Sequence, residues 1–314
     1  MKNQYFGDRR DLFKYDLLLD LVTAHGANRL TIVPMLTAND ESGEGNLTHA
    51  GARQWHPRLH SFLKQCRSEG HRDIRMLREF MSSQGLILKV YRDSHLFAQG
   101  IRTRYFDDIP VDDLTRSVIF IDPDIGLESG AAAYMRRQGP EKYLQYSELL
   151  NVSERSSPES VLVVYQHLQS DGRKRRNDIS DRIAQIARRL GTRVWAVQWN
   201  DVAMIVATRS SDVAARLESS LAQYADRHRL DFYRASVHRT DPQGSCIPTV
   251  NSERIGNALQ LLNQGLQIFV ERSMKGHYGE GWREQADQGR RESPQKHKGP
   301  SQTDWDTQAY WQLS

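Results

Sequence analysis

The chain has 314 residues, 38% hydrophobic and 26% charged, with a net charge of +4 and a pI near 9.0. That balance fits one sizeable α/β domain with a smaller appendage, and no apolar run reaches the ~18 residues of a membrane-spanning helix. Cys66 and Cys246 are the only cysteines, which argues against a disulfide framework or a thiolate metal site. With no apolar signal core in residues 1–8, a cytoplasmic location is the expectation.

Leu12, Phe13, Leu17, Leu18, Leu21 and Val22 recur at helical spacing and predict a helix over residues 10–24. Residues 29–36 read as a first buried strand, and 37–51, rich in Asn, Asp, Gly and Ser, as a loop. Helices are expected at 55–67 and 74–83. Short strands follow at 86–91 and 101–106, each ending near acid: Asp93, then Asp107 and Asp108. A strand at 118–121, a helix near 142–150, a strand at 161–165 and an amphipathic helix at 175–190 complete the alternation. Residues 193–199 and 202–208, joined by Asn200-Asp201, read as a hairpin. Alternating strands and helices predict a three-layer, mostly parallel sheet, and the hairpin predicts that 202–208 runs antiparallel to its neighbours.

The segment Ser117-Val118-Ile119-Phe120-Ile121-Asp122-Pro123-Asp124-Ile125-Gly126-Leu127-Glu128 carries the most chemistry. A buried strand stops at an acid locked to a proline, and in open α/β sheets ligands gather at the carboxyl ends of strands. Asp122, Pro123, Asp124 and Glu128 are therefore candidate catalytic residues; a solvated strand exit is the bland alternative. Tyr165-Gln166-His167 ends the neighbouring strand, and His167 joins the candidates as a base, a phosphate contact or a structural histidine. The clusters Arg136-Arg137, Arg173-Lys174-Arg175-Arg176 and Arg188-Arg189 are either phosphate contacts or solvated helix faces.

Asp122-Pro123 resembles the fourth motif of class I methyltransferases that modify exocyclic amines, Asp/Asn-Pro-Pro-Tyr/Phe, with Asp124 and Ile125 in place of the second proline and the aromatic. The opening, with Gly7, Asp11 and Lys14 in comparable order, is similar to the start of the ribosomal-RNA adenine methyltransferase J family. Closer still is an uncharacterised prokaryotic group carrying the motifs seen here at 34–37, 122–128, 141–144 and 165–167. The resemblance covers about residues 1–240. It implies a class I methyltransferase-like fold, with S-adenosylmethionine as cofactor near Asp93 and Asp107 and a substrate-side role for Lys14. The first strand ends in Pro34-Met35-Leu36-Thr37 rather than a glycine-rich turn, which leaves Gly43 and Gly45 as the nearest glycines for the cofactor.

Asp241-Pro242-Gln243-Gly244-Ser245 marks a domain boundary, followed by an amphipathic helix whose face includes Ile255, Leu259, Leu262, Leu266, Phe269 and Val270. The pattern Asn257 to Arg272, with Tyr278-Gly279, Trp282 and Trp305-Asp306-Thr307-Gln308, resembles the start of a HEPN-type helical domain. Arg291 and His297 have nearly the spacing of that family's nuclease motif, but Pro294 breaks the helix between them, and 289–303 is polar enough to predict disorder. Residues 241–314 are thus expected to form a truncated or degenerate helical module, a surface for a protein partner.

The sequence reading is a nucleic-acid-directed methyltransferase-like protein, catalytically intact or degenerate, with Arg136, Arg137, Arg173 and Lys174 on the nucleic acid. One alternative is a nuclease holding magnesium on Asp122, Asp124 and Glu128. Another is a non-catalytic binding component of a prokaryotic defence or DNA-processing system.

Overall fold

The structure, a computed structural model, describes residues 1–40, 55–128, 139–168, 172–235 and 275, with 172–175 as backbone only. The chain divides into two units, Met1–Val237 and His238–Ser314. Of the second unit only Lys275 is among the described residues, so the boundary cluster at 241, the helical module and its polar tail lie outside them. No described helix is long and apolar enough to cross a membrane.

In chain order the elements are α1 (Arg9–His25), β1 (Arg29–Pro34), α2 (Pro57–Ser68), α3 (Leu77–Ser83), β2 (Ile87–Val90), α4 (Arg102–Asp107), α5 (Val111–Leu114), β3 (Val118–Asp122), β4 (Gly126–Leu127), β5 (Tyr143–Leu144), α6 (Tyr146–Arg155), β6 (Val161–His167), α7 (Gly172–Leu190), β7 (Arg193–Trp199), β8 (Val202–Thr208), α8 (Ser211–His228) and β9 (Asp231–Ala235). Seven strands form one sheet in the order β2-β1-β3-β6-β8-β7-β9, and β4 pairs with β5 in a separate parallel ribbon.

The pairings β1–β2, β1–β3 and β3–β6 are parallel, whereas β6–β8, β7–β8 and β7–β9 are antiparallel. The hairpin therefore inserts β8 antiparallel between β6 and β7, as its Asn200-Asp201 turn predicts. The sheet is mixed rather than mostly parallel, because β9 adds a further antiparallel edge strand outside β7. The sequence reading assigns no element to α8 or β9.

Strand alternation explains the layers. Val118 and Phe120 of β3 face one way, into a core shared with Leu12 and Leu18 of α1, Leu63 of α2 and Leu217 of α8. Ile119 and Ile121 face the other way, into a core with Phe106 of α4, Leu149 of α6 and Ile183 of α7. Helices thus cover both faces of one sheet, three layers in all.

The expected strand at 101–106 is instead a 3-10 turn (Gln99–Ile101) leading into α4. Ile-Arg-Thr-Arg-Tyr-Phe is β-prone by composition, but Arg102, Tyr105, Phe106 and Ile109 are buried while Arg104 is exposed, which is a helical rather than a two-residue period. The Arg102 guanidinium grips Glu148 of α6 in a bidentate pair (2.8 and 2.7 Å) and donates to the carbonyls of Pro140 and Tyr143. Asp107 accordingly ends a helix, not a strand. The helix expected at 142–150 starts only at Tyr146, because Tyr143 and Leu144 are taken up by β5.

Phe120 is fully buried in β3, an interior strand of the sheet. Phe120→Ala should lower the unfolding free energy by about 3–5 kcal/mol, from lost transfer energy plus the cavity left behind. Urea denaturation measures it, and a loss below about 1 kcal/mol would show that β3 is not the packed centre.

Candidate functional site

β3 ends at Asp122, which is level with Pro34 of β1 and, by strand alternation, on the same face as Phe120, towards α1. Lys14 of α1 meets it there: the Lys14 ammonium donates to Asp122 Oδ2 at 2.9 Å and to Asp11 Oδ1 at 2.7 Å, and sits 4.8 Å from the centre of the Tyr165 ring. Asp122 is 1% exposed and Lys14 5%, so an ionised Asp122 depends on the Lys14 ammonium to offset its burial. Burial pushes the Asp122 carboxyl up, with the Lys14 charge opposing it. Burial also works against the Lys14 ammonium, but Asp11 and Asp122 outweigh it and hold its proton tightly.

The first turn of α1 supplies the rest of this floor. Asp8 caps the helix by accepting from Asp11 N at 2.9 Å, and Asp11 Oδ2 accepts from Gly7 N at 2.9 Å. Burial and the charge of Asp11 push the Asp8 carboxyl up to about 7. These groups line a cleft of about 440 Å³ at the carboxyl edge of the sheet. Pro123 and Asp124 also line it, and Asp124 lies 3.5 Å from the Met1 amino group and 3.9 Å from Lys2. Lys2 in turn pairs with Asp40, which also accepts from Gln4 (2.8 Å) and from the Tyr5 hydroxyl (3.1 Å).

At the mouth, Arg10 pairs with Asp201, and the imidazole of His167 lies 3.3 Å from the same carboxylate and 3.4 Å from Arg10. Burial opposes the Asp201 carboxylate, yet the His167 hydrogen bond and the Arg10 guanidinium hold it well below the ordinary carboxylate range. Lys142 also lines the cleft, with no ion-pair partner among the described residues.

Gln166 fixes the loop that carries these groups. Its side-chain oxygen accepts from Leu127 N (2.9 Å) and its amide donates to His167 O (2.7 Å), while His167 N donates to Ile125 O (2.7 Å). Gly126 is at φ +138°, and a Cβ there would stand 2.5 Å from the Gln166 amide. Glycine is needed for both reasons. The two motifs read separately in the sequence, 122–128 and 165–167, are thus one interlocked unit.

Of the predicted residues, Asp122, Pro123, Asp124, His167 and Lys14 come together at this cleft. Glu128 does not line it: its carboxylate accepts from Tyr146 N at 2.8 Å at the start of α6, and its carbonyl accepts from Arg182 of α7. The magnesium arrangement loses its geometry, since Asp122 faces Lys14, Asp124 faces Lys2 and Glu128 caps a helix. No group of three or more His, Cys, Asp or Glu side chains among the described residues is placed to hold a metal ion.

Asp93 pairs with Arg78 at 2.5 Å and Asp107 accepts from Asn151 at 2.7 Å; neither lines the cleft. Gly43, Gly45, Arg136 and Arg137 lie outside the described residues, as do the side chains of Arg173 and Lys174, whose backbone forms the first turn of α7.

The described residues after β1 do not fit a nucleotide-type cofactor. Met35 and Leu36 are buried, the Tyr105 hydroxyl donates to Pro34 O at 2.6 Å, and Phe97 N donates to Leu36 O at 2.7 Å. Phe97, Tyr105 and Phe106 stack edge to face beside this turn. The backbone that a glycine-rich turn would present to a cofactor is engaged by the protein itself.

Asp8, Arg10 and Asp201, with Lys2, Asp40 and Lys142, are site residues to which the sequence reading assigns no role at the site. A capping aspartate just before a helix was a usable signal for Asp8, whereas Asp201 reads only as a turn residue until the hairpin is docked. Compared with known proteins, the chain matches no family model, no curated protein and no solved structure.

Lys14→Met should destabilise the protein by about 3–5 kcal/mol by stranding two buried carboxylates, and Lys14→Met/Asp122→Asn should recover part of the loss. Asp122→Asn alone should cost less, because Asp11 still holds the ammonium. Urea unfolding ranks the three, and a single Lys14→Met variant as stable as the wild type would refute the buried bridge.

Proposed function

We propose that the chain is a nucleic-acid-directed, methyltransferase-like protein in which the cleft at Asp122 is a recognition site and methyl transfer is degenerate. The observation that carries this reading is the Asp122-Pro123 strand end opening on a polar cleft at the carboxyl edge of the sheet. Support for the scaffold comes from the strand order, in which β8 runs antiparallel between β6 and β7. In class I methyltransferases the last strand is likewise antiparallel. The crowded turn after β1 supports the degenerate half of the proposal.

Charge supports a polyanionic partner. α7 starts five residues after His167, and its first turn carries Arg173, Lys174, Arg175 and Arg176 in succession. Cations at a helix amino terminus oppose the helix dipole and destabilise the isolated helix; a phosphate backbone laid along that turn reverses the sign. Arg10 and Lys142 line the cleft itself.

Binding of a duplex oligonucleotide should weaken steeply with salt, the slope of log K against log salt being about −0.9 for each phosphate contacted. Arg175→Ala/Arg176→Ala should flatten that slope by one to two contacts, or about 0.9–1.8. Fluorescence anisotropy across a salt series measures both. No binding at low salt, or an affinity indifferent to salt, would overturn the nucleic-acid reading. Isothermal titration with S-adenosylmethionine should give no binding heat, and stoichiometric binding would overturn the degenerate assignment.

A further inference from the structure

We propose that the cleft is proton-linked: an anionic group entering it draws one proton onto Asp8. The inference rests on the anionic partner proposed above and concerns how its binding is regulated.

The floor holds three carboxylates, those of Asp8, Asp11 and Asp122, around the Lys14 ammonium, with the Met1 amino group lining the same cleft beside Asp124. Lys14 is committed to two of them, at 2.7 Å to Asp11 and 2.9 Å to Asp122. Asp8, 2% exposed, is left with a single backbone donor, Asp11 N, and forms no ion pair among the described residues. The groups that face it are Arg10, Asp11, Lys14 and Tyr15 from α1 and Tyr165 from β6, while Asp122 of β3 shares the Lys14 ammonium. Arg10 is turned to Asp201 at the mouth and does not bridge to Asp8.

A buried carboxylate without a cation keeps its proton into the neutral range, which agrees with the value of about 7 at Asp8. When Asp8 ionises, the floor gains a negative charge in a poorly screened site and repels an anion. When it is protonated, that repulsion is gone. Linkage is reciprocal, so an anion that binds the protonated form better must raise the proton affinity of Asp8. The sign follows: anion affinity is highest below pH 7 and falls as Asp8 ionises, by at most about tenfold per pH unit for one linked proton.

Asp8→Asn is the test. Asparagine caps the helix as aspartate does but carries no charge at any pH. The affinities of wild type and variant are measured from about pH 6 to about pH 8.5 at fixed ionic strength. The probes are a labelled single-stranded oligonucleotide and inorganic sulfate, neither of which titrates in that range. His167 and the Met1 amino group, whose proton affinity burial lowers, also line the cleft; both are retained in the variant, so their contributions cancel in the comparison.

The expected result is a wild-type affinity for both probes that falls by about tenfold more across the range than that of Asp8→Asn, which keeps only the pH dependence of the groups the two proteins share. Parallel pH profiles for wild type and variant overturn the proposal. Sulfate binding that follows the expected pattern without any oligonucleotide binding overturns the nucleic-acid reading and leaves the proton linkage standing. Failure of both probes to bind overturns the two together.

Discussion

The Lys14 ammonium, held between Asp11 and Asp122, is the interaction on which the rest of this architecture depends. It joins the first helix to the end of β3, an interior strand, across the boundary between two layers. A buried ion pair of this kind adds little net stability over an apolar packing, but removing one partner is severe, so it fixes arrangement more than it adds strength. Everything near the cleft inherits that arrangement. The first turn of α1 brings Asp8 and Arg10 with it, and the segment ahead of α1 folds back so that Lys2 and Tyr5 reach Asp40.

The acids clustered after β3 divide by what they touch. Asp122 and Asp124 face the cleft and its cations. Glu128, four residues further on, closes the amino end of α6, and the buried Arg102–Glu148 pair ties α4 to that helix from the other face of the sheet. One short acidic run therefore serves a polar cleft at its start and the helix layer at its end. The switch between the two roles occurs at Gly126, where the chain reverses face against the Gln166 amide.

Much of this was legible in residue order. The buried character of 118–121, the hairpin at 193–208 and the helical face of 10–24 rest on local periodicity, and local periodicity is what a sequence displays. The stretch 101–106 reads as a strand because four of its six residues are β-prone and the window is too short to fix a period, and the deciding fact, a buried Arg102 matched to Glu148, lies 46 residues away in the chain. Cooperation among site residues was hidden in the same way. Lys14 and Asp122 are 108 positions apart and Arg10 and Asp201 are 191 apart, so only the closed sheet brings them together. Glu128 looked equivalent to its neighbours because spacing along a loop says nothing about which way the loop turns.

The tight turn between β7 and β8 has a consequence for how this chain can vary. Asn200 adopts φ +53°, and Trp199 and Val202 pair directly on either side of the two-residue connection. Such hairpin tips ordinarily tolerate insertions, because nothing beyond them depends on their length. Here the tip carries Asp201, whose carboxylate holds both Arg10 and His167. One extra residue would leave the hairpin a way to re-form with a bulge, but it would carry that carboxylate off its partners. In this chain a connection open to drift by its geometry is closed to it by its chemistry.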